Sequence, residues 1–348
     1  MRLLKLVPDN TNLHFMRYRN IALAISIIVT LAAIAMVATR GLNFGVDFVG
    51  GQSVRVAFVQ APPIAQLREQ VDNLGVGNAD IQESRQSAVQ QAAAGNAGQA
   101  NLVEYTIKLP VAQGDDAATS AATGRVRSMI ETTYRGNATV RSVDTVSGKV
   151  SGELLRSGAW AIGLAMLGIA IYIWMRFEWQ FGIGALVTLF HDVCMTLGFF
   201  SLTRLEFDLD VVAAILTIVG YSLNDTVVIY DRIRENLRKY RKMEILEMLD
   251  LSLNETLSRT MVTSLSILLA LGALLLLGPQ VIFGLTIAIF IGIFVGTYSS
   301  IYISSPILVW LGVKTSSFLP ARDKISGPTG PRNERGPGQR PADDGAVV

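Results

Sequence analysis

The sequence predicts an α-helical integral membrane protein of six transmembrane helices, with a small α+β domain inserted between helices 1 and 2. Three observations predict it. Six apolar runs are each long enough to cross a bilayer, the Lys and Arg residues between them fall mostly on one side, and the one long inter-run segment alternates between strand and helix periods.

A hydrocarbon core about 30 Å thick takes roughly 20 helical residues at ~1.5 Å each. The runs at 21–39, 157–175, 181–202, 211–230, 260–278 and 281–310 meet that length. Four carry no charge; the third holds His191 and Asp192, and the fourth holds Asp225. The sixth is longer than one crossing needs, which predicts tilt, a kink near Pro306 or an end lying along the surface. The first run follows Arg2, Lys5, Arg17 and Arg19, yet it is too long for the apolar region of a signal peptide and is expected to stay.

Charge sets the orientation. The arm 1–20, Arg176, the strongly basic loop 231–259 and the tail 311–348 share one side if six spans alternate. The positive-inside rule places that side, with both termini, in the cytoplasm, so the segment 40–156 is expected outside. The tail is rich in Pro, Gly and charge from about residue 322 and is expected to be disordered.

Within 40–156, residues 52–59 alternate with Val54, Val56 and Phe58 on one face. A helix follows from Pro62 to Leu74, then strands at 79–83 and 102–109, a helix at 115–134 and a strand at 137–146. The order β-α-β-β-α-β matches a ferredoxin-like split unit. Residues 86–101, rich in Gln, Ala, Gly and Asn, are read as a loop. This domain holds no His or Cys, which points to binding or positioning rather than catalysis.

With a formal net charge of +2, the chain carries no nucleic-acid footprint. The single cysteine, Cys194, allows no intrachain disulfide, and His14 and His191 lie far apart, so neither a metal nor another cofactor is expected. No paired carboxylates or Ser-His set suggest an enzyme.

The residues with chemical promise lie in and beside the spans. Asp225 sits about fourteen residues into the fourth run, roughly 20 Å of helical rise from its start. An ionised carboxylate at that depth is costly unless it meets water or a cation, so it is either a proton-exchanging group or a structural hydrogen-bonder between helices. Tyr221 and Ser222 lie one turn away, with Asn224 alongside. His191 and Asp192 stand near mid-depth of the third run, as a second relay or as a packed polar cluster. Arg259 precedes the fifth run, where it either reaches toward Asp225 or anchors the helix at the headgroups. After the first run, Gly45, Asp47, Phe48, Gly50 and Gly51 predict a sharp turn, with the glycines adopting backbone conformations closed to other residues and Asp47 capping it or pairing with a base. In the sixth run Gly284, Ala288, Gly292, Gly296, Ser300 and Ser304 recur every four residues, a small-residue stripe that admits a close neighbouring helix.

These motifs together resemble the SecD/SecF family of protein-export membrane proteins. Gly-Val-Asp-Phe-Val-Gly-Gly at 45–51 resembles that family's Gly-x-Asp-Phe-x-Gly-Gly signature. His191-Asp192, the run from Gly220 to Asn236 and Ser258-Arg-Thr-Met-Val-Thr-Ser264 are similar to its third-, fourth- and fifth-span segments. The resemblance covers about residues 10 to 315, and the short outer segment resembles the SecF branch more than the SecD branch. It implies a half-transporter of the resistance-nodulation-division superfamily, in the bacterial inner membrane, pairing with six helices of SecD. It further implies work beside the SecYEG channel, with YajC and YidC as additional partners, drawing preproteins outward by proton motive force. In the family the span-four aspartate and span-five arginine are associated with proton conduction, which adds weight to Asp225 and Arg259. A proton-coupled exporter of small molecules or lipids and a non-enzymatic membrane scaffold stand as the alternatives.

Overall fold

The computed structural model of the protein describes residues 11–76, 79–85, 103–109, 116–240, 242–279 and 282–313. The segment 86–101 and the tail from 314 onward, expected as loop and disorder, lie outside the described residues.

In chain order the elements are α1 (Arg19–Arg40), β1 (Asn43–Phe44), α2 (Val46–Val49), β2 (Gly51–Phe58), α3 (Ile64–Asp72), β3 (Asp80–Arg85), β4 (Val103–Leu109), α4 (Asp116–Thr133), β5 (Ala138–Val146), α5 (Gly148–Arg176), α6 (Trp179–Thr203), β6 (Glu206–Phe207), α7 (Leu209–Lys239), α8 (Ile245–Leu277), α9 (Phe283–Tyr302) and α10 (Ser304–Trp310). Six helical stretches are long and apolar enough to cross a membrane: Phe15–Arg40, Val150–Arg176, Trp179–Thr203, Leu209–Lys239, Ile245–Leu277 and Phe283–Trp310. They are called spans 1 to 6. The sixth is interrupted at Ile303, so α10 leaves α9 with Pro306 in its first turn, where a missing N–H costs no helical hydrogen bond.

Spans 3, 4 and 6 form the protein-covered centre, whereas spans 2 and 5 present most of their surface outward. Apolar residues around a whole helix are what a bilayer solvent asks for, so exposed Leu164, Leu167 and Leu269 are ordinary lipid-facing positions.

The segment 231–259, expected as a basic loop, is helical over most of its length, with α7 running to Lys239 and α8 starting at Ile245. Polar pairing explains the extension. Asn236 donates to Ser252 Oγ at 3.0 Å and to Glu255 Oε2 at 2.7 Å, and Arg232 donates to Glu255 at 2.7 Å. These bonds hold the two helices together past the apolar region, around a cluster containing Ile233, Leu237, Met248 and Leu249. The chain start joins them: the backbone N–H of Met16 donates to Asp250 at 2.8 Å.

At the opposite end of the bundle lies the α+β domain. Its sheet has the order β3-β4-β2-β5 with every neighbour antiparallel, and Val54 stands opposite both Ile107 and Val143. Val54, Val56, Phe58, Leu67, Val71, Ile107, Val126 and Ile130 are fully buried, so α3 and α4 pack on one sheet face. Polar links fasten this domain to the bundle. Lys108 Nζ lies 3.2 Å from Glu206, Asn43 donates to the Arg204 carbonyl at 2.8 Å, and β1 pairs in parallel with β6.

The glycine-rich turn forms the hinge between span 1 and the sheet. Gly50 and Gly51, at φ of 76° and 114°, occupy the region that excludes most side chains. Gly45 is constrained for another reason than the one expected: its backbone is extended, and a Cβ there would lie 3.0 Å from Glu206 Oε1. Asp47 pairs with no base among the described residues. Its Oδ2 accepts from the Leu209 N–H at 3.1 Å, so it caps the first turn of span 4 beside Asp208, which accepts from Val211 N–H at 3.0 Å.

Crowding these carboxylates has a consequence. Burial first, then Asp210, Glu206 and Asp47 nearby, push the Asp208 carboxyl up to about 6. A folded acid with a raised value binds more protons than the unfolded chain between its ordinary value and about 6, so stability falls as pH rises through that window and stays level above it. Asp208→Asn retains a capping oxygen and removes the charge. The variant should melt a few degrees above the parent at pH 7.5 and level with it near pH 4; an equal gap at both pH values would disprove the charge account.

Candidate functional site

A buried polar core runs through the membrane-spanning centre, and its middle is Asp225. The acid is 7 % exposed, and both oxygens are occupied: Thr260 of span 5 donates to Oδ1 at 2.7 Å and Ser300 of span 6 donates to Oδ2 at 3.0 Å. One carboxylate thus joins three spans. Its position follows from periodicity, since the buried residues Ile218, Ser222, Asp225 and Ile229 recur at three- and four-residue steps along α7.

One turn away, Ser222 donates to Asp192 Oδ2 at 2.5 Å, and Ser299 lies beside the same carboxyl while donating to the Gly296 carbonyl at 3.1 Å. Asp192 is wholly buried in span 3, and its Oδ1 has no partner among the described residues. A lone buried acceptor is expensive unless the group carries its own proton or meets water. Adjacent serines of span 6, Ser299 and Ser300, therefore touch the two acids separately. A third cluster flanks them, with Tyr221 and Thr297 both bonded to the Ser264 hydroxyl at 3.1 and 2.8 Å.

The small-residue stripe is part of this core as well as a packing surface. Gly292 meets the Ile218 side chain, where any Cβ would overlap. A Cβ at Gly296 would lie 3.4 Å from Ser222 and 3.6 Å from Asp192 Oδ2. Ala288 and Ser304 are fully buried, and a Cβ at Gly284 would lie 3.7 Å from Val211. Lack of side-chain bulk lets span 6 bring Ser299 and Ser300 to the acids.

Three sequence-selected residues stand apart from Asp225. Asn224 is exposed, pointing away from the bundle, because adjacent helical positions differ by about 100°. His191 turns from Asp192 toward span 1, where its Nδ1 lies 3.0 Å from the Thr30 hydroxyl. Arg259 is exposed and makes no ion pair with Asp225 within 4.0 Å, although its charge acts on that carboxyl. Phe48, from the turn motif, packs against Phe44 and Phe207 at the domain end of the bundle. Thr260 and Ser299 are the residues the sequence reading did not single out as site members. Thr260 follows Arg259 directly and faces inward one position later, a signal that helical phase alone would have supplied.

Outward from the core, Ala213, Thr217, Gly220 and Asn224 form an uncovered face along span 4. Arg259, Thr263 and Ser266 are uncovered on the adjoining span 5. Small and polar side chains at this depth are poor company for acyl chains and good company for another helix. Among the described residues no group of three or more His, Cys, Asp or Glu could hold a metal ion.

A family model described as "Protein export membrane protein SecD/SecF, C-terminal" matches residues 125–314, and one described as "SecD/SecF GG Motif" matches residues 35–62. "Protein translocase subunit SecF" of Rickettsia felis is 40 % identical over 305 residues, covering 88 % of this chain and 94 % of its own. The protein of the same name from Cereibacter sphaeroides is 39 % identical over 324 residues, covering 93 % and 96 %. Among solved structures, SecDF of Thermus thermophilus, described as a translocon-associated membrane protein, superposes with a TM-score of 0.76 at 32 % identity. That match covers 87 % of this chain and 39 % of the longer one. A buried acid shared by three spans, a Gly-Gly hinge below an α+β domain and these relatives agree: the chain belongs to the SecD/SecF family of protein-export membrane proteins.

Proposed function

We propose that the chain is the SecF-type half of a proton-driven accessory to the Sec translocase, paired with SecD beside the SecYEG channel. It lies in the bacterial inner membrane with both ends cytoplasmic and the α+β domain, ferredoxin-like in topology, in the periplasm. The observation that carries this reading is the Asp225 carboxyl, held by hydroxyls from two other spans while the preceding residue, Asn224, lies on an uncovered polar face.

Proton exchange at that carboxyl changes what spans 5 and 6 can do. The ionised group accepts from both Thr260 and Ser300 and calls for a cation, which Arg259 supplies from the position before Thr260 in span 5. Once protonated, the group donates through one oxygen and loses its claim on the arginine. One hydroxyl must then turn away, and Ser300 has the Thr297 carbonyl at 3.1 Å to receive it. Asp192, coupled through Ser222 and Ser299, is the second group in this relay, with His191 and Asn224 at its edges. Movement of span 4 reaches its first turn, where Asp47 grips Leu209 and continues through Gly50 and Gly51 into β2. In this account the outer domain moves because the hinge that bears it is bonded to the helix that carries the proton.

A single half cannot shield the outward face of span 4, which supports SecD as its cover; YajC, YidC, lipids and the moving preprotein are further contacts of the same assembly. Tagged wild-type protein, isolated from its native membrane, should bring down a second six-span protein. The double substitution Gly220→Leu, Asn224→Leu should reduce that recovery at least about tenfold, because bulky chains on a small-residue face hold a neighbouring helix away. Normal recovery with the substituted protein would show that this face is not where the halves meet. Export by the reconstituted complex should also lose its dependence on this subunit when an ionophore collapses the proton gradient.

A further inference from the structure

At the basic end of the bundle, spans 2 and 4 enclose a cleft of about 530 Å³ lined by Arg176, Asp231, Arg234, Glu235, Arg238 and Lys239. Four cations thus face two carboxylates, and both carboxylates are already engaged: Asp231 with Arg176 at 3.5 Å and Glu235 with Arg232 at 2.7 Å. Arg234 donates to the Arg176 carbonyl at 3.4 Å, while its Nε is buried with no partner among the described residues. Arg238 and Lys239 are exposed and have no ion pair within 4.0 Å among the described residues. The cleft therefore holds an excess of positive charge and an unmatched guanidinium donor.

A second, independent observation concerns depth. Tyr172, Trp174 and Trp179 are 53 %, 69 % and 52 % exposed beside the cleft, and exposed aromatic rings of this kind sit at the headgroup level of a bilayer. A cationic cleft at headgroup depth suits a molecule whose head is an anion and whose body is hydrocarbon.

We infer that the cleft between spans 2 and 4 binds the phosphodiester headgroup of an anionic phospholipid. Guanidinium groups match phosphate oxygens geometrically. A zwitterionic lipid brings its own ammonium into a site already rich in cations, so a net-negative headgroup is favoured. The cleft shares no lining residue with the Asp225 cluster, and the inference does not depend on proton coupling.

Binding of a fluorescent phosphatidylglycerol to the full-length protein in phosphatidylcholine nanodiscs tests this directly. Arg238→Gln, at an exposed position with no ion pair among the described residues, should weaken the affinity about fivefold, the effect of one cation near a lipid surface. Arg17→Gln removes a charge from the same end of the bundle outside the cleft and should change it less than about twofold. Equal weakening by both variants, or none by Arg238→Gln, would leave only diffuse attraction and overturn the site. Competition by inorganic phosphate as effective as by phosphatidylglycerol would overturn the lipid as its ligand; phosphate without effect supports it.

Discussion

Asp225→Asn should reduce the subunit's contribution to proton-dependent export to the level seen with the subunit absent, while leaving the protein folded and in the membrane. The substitution keeps the shape of the side chain and one acceptor oxygen. Thr260 or Ser300 can still donate to that oxygen, and the other hydroxyl can turn, as Ser300 already can toward Thr297. What disappears is the ability to gain and lose a proton. Asp225→Leu serves as the contrasting variant. It strips Thr260, 1 % exposed, of the acceptor it uses here, at a cost of about 1–3 kcal/mol for an unpaired buried hydroxyl. The two variants should therefore separate in thermal stability and agree in lost export. Measured in vesicles with an imposed gradient, full export by Asp225→Asn would remove this acid from the proton path. Equal loss of assembly and export in that variant would instead favour a structural role for the polar core.

Much of this arrangement was legible in the sequence because the membrane simplifies the code. Six apolar runs announce six helices, and strict alternation in 52–59 announces a strand whose Val54, Val56 and Phe58 are fully buried. Neighbouring residues were harder to sort. Asn224 beside Asp225 and His191 beside Asp192 form attractive pairs in one dimension, yet a helix turns each pair apart. The partner spans were not legible at all. Nothing in Thr260, Ser299 or Ser300 states which helix it will face, since that depends on the packing of three spans. Likewise β1 and β6 are two residues each, too short to show any period, and the Asp47 cap on Leu209 crosses 162 positions of chain.

The stripe on span 6 is where packing and chemistry meet, and Gly292 is its tightest point. A methyl group there overlaps three atoms of Ile218, a side chain 1 % exposed in the centre of span 4. Relief would require α9 to draw back, and the helix that draws back carries Ser299 and Ser300. Overpacking of this kind costs about 1–3 kcal/mol, so Gly292→Ala should lower stability by that amount. Ile218→Ala alone leaves a cavity and should cost about 2–5 kcal/mol. Combined, the two changes exchange volume across one contact. The double variant should be more stable than the sum of the single effects predicts, by roughly 1–3 kcal/mol of coupling. Strict additivity in thermal or denaturant unfolding would mean that spans 4 and 6 do not meet at this pair. Export supplies the second readout: Gly292→Ala should depress it even in protein that remains folded, because a span held away from Asp225 cannot offer it a serine. Restored export in the double variant would tie that loss to spacing alone, since neither substituted residue can carry a proton.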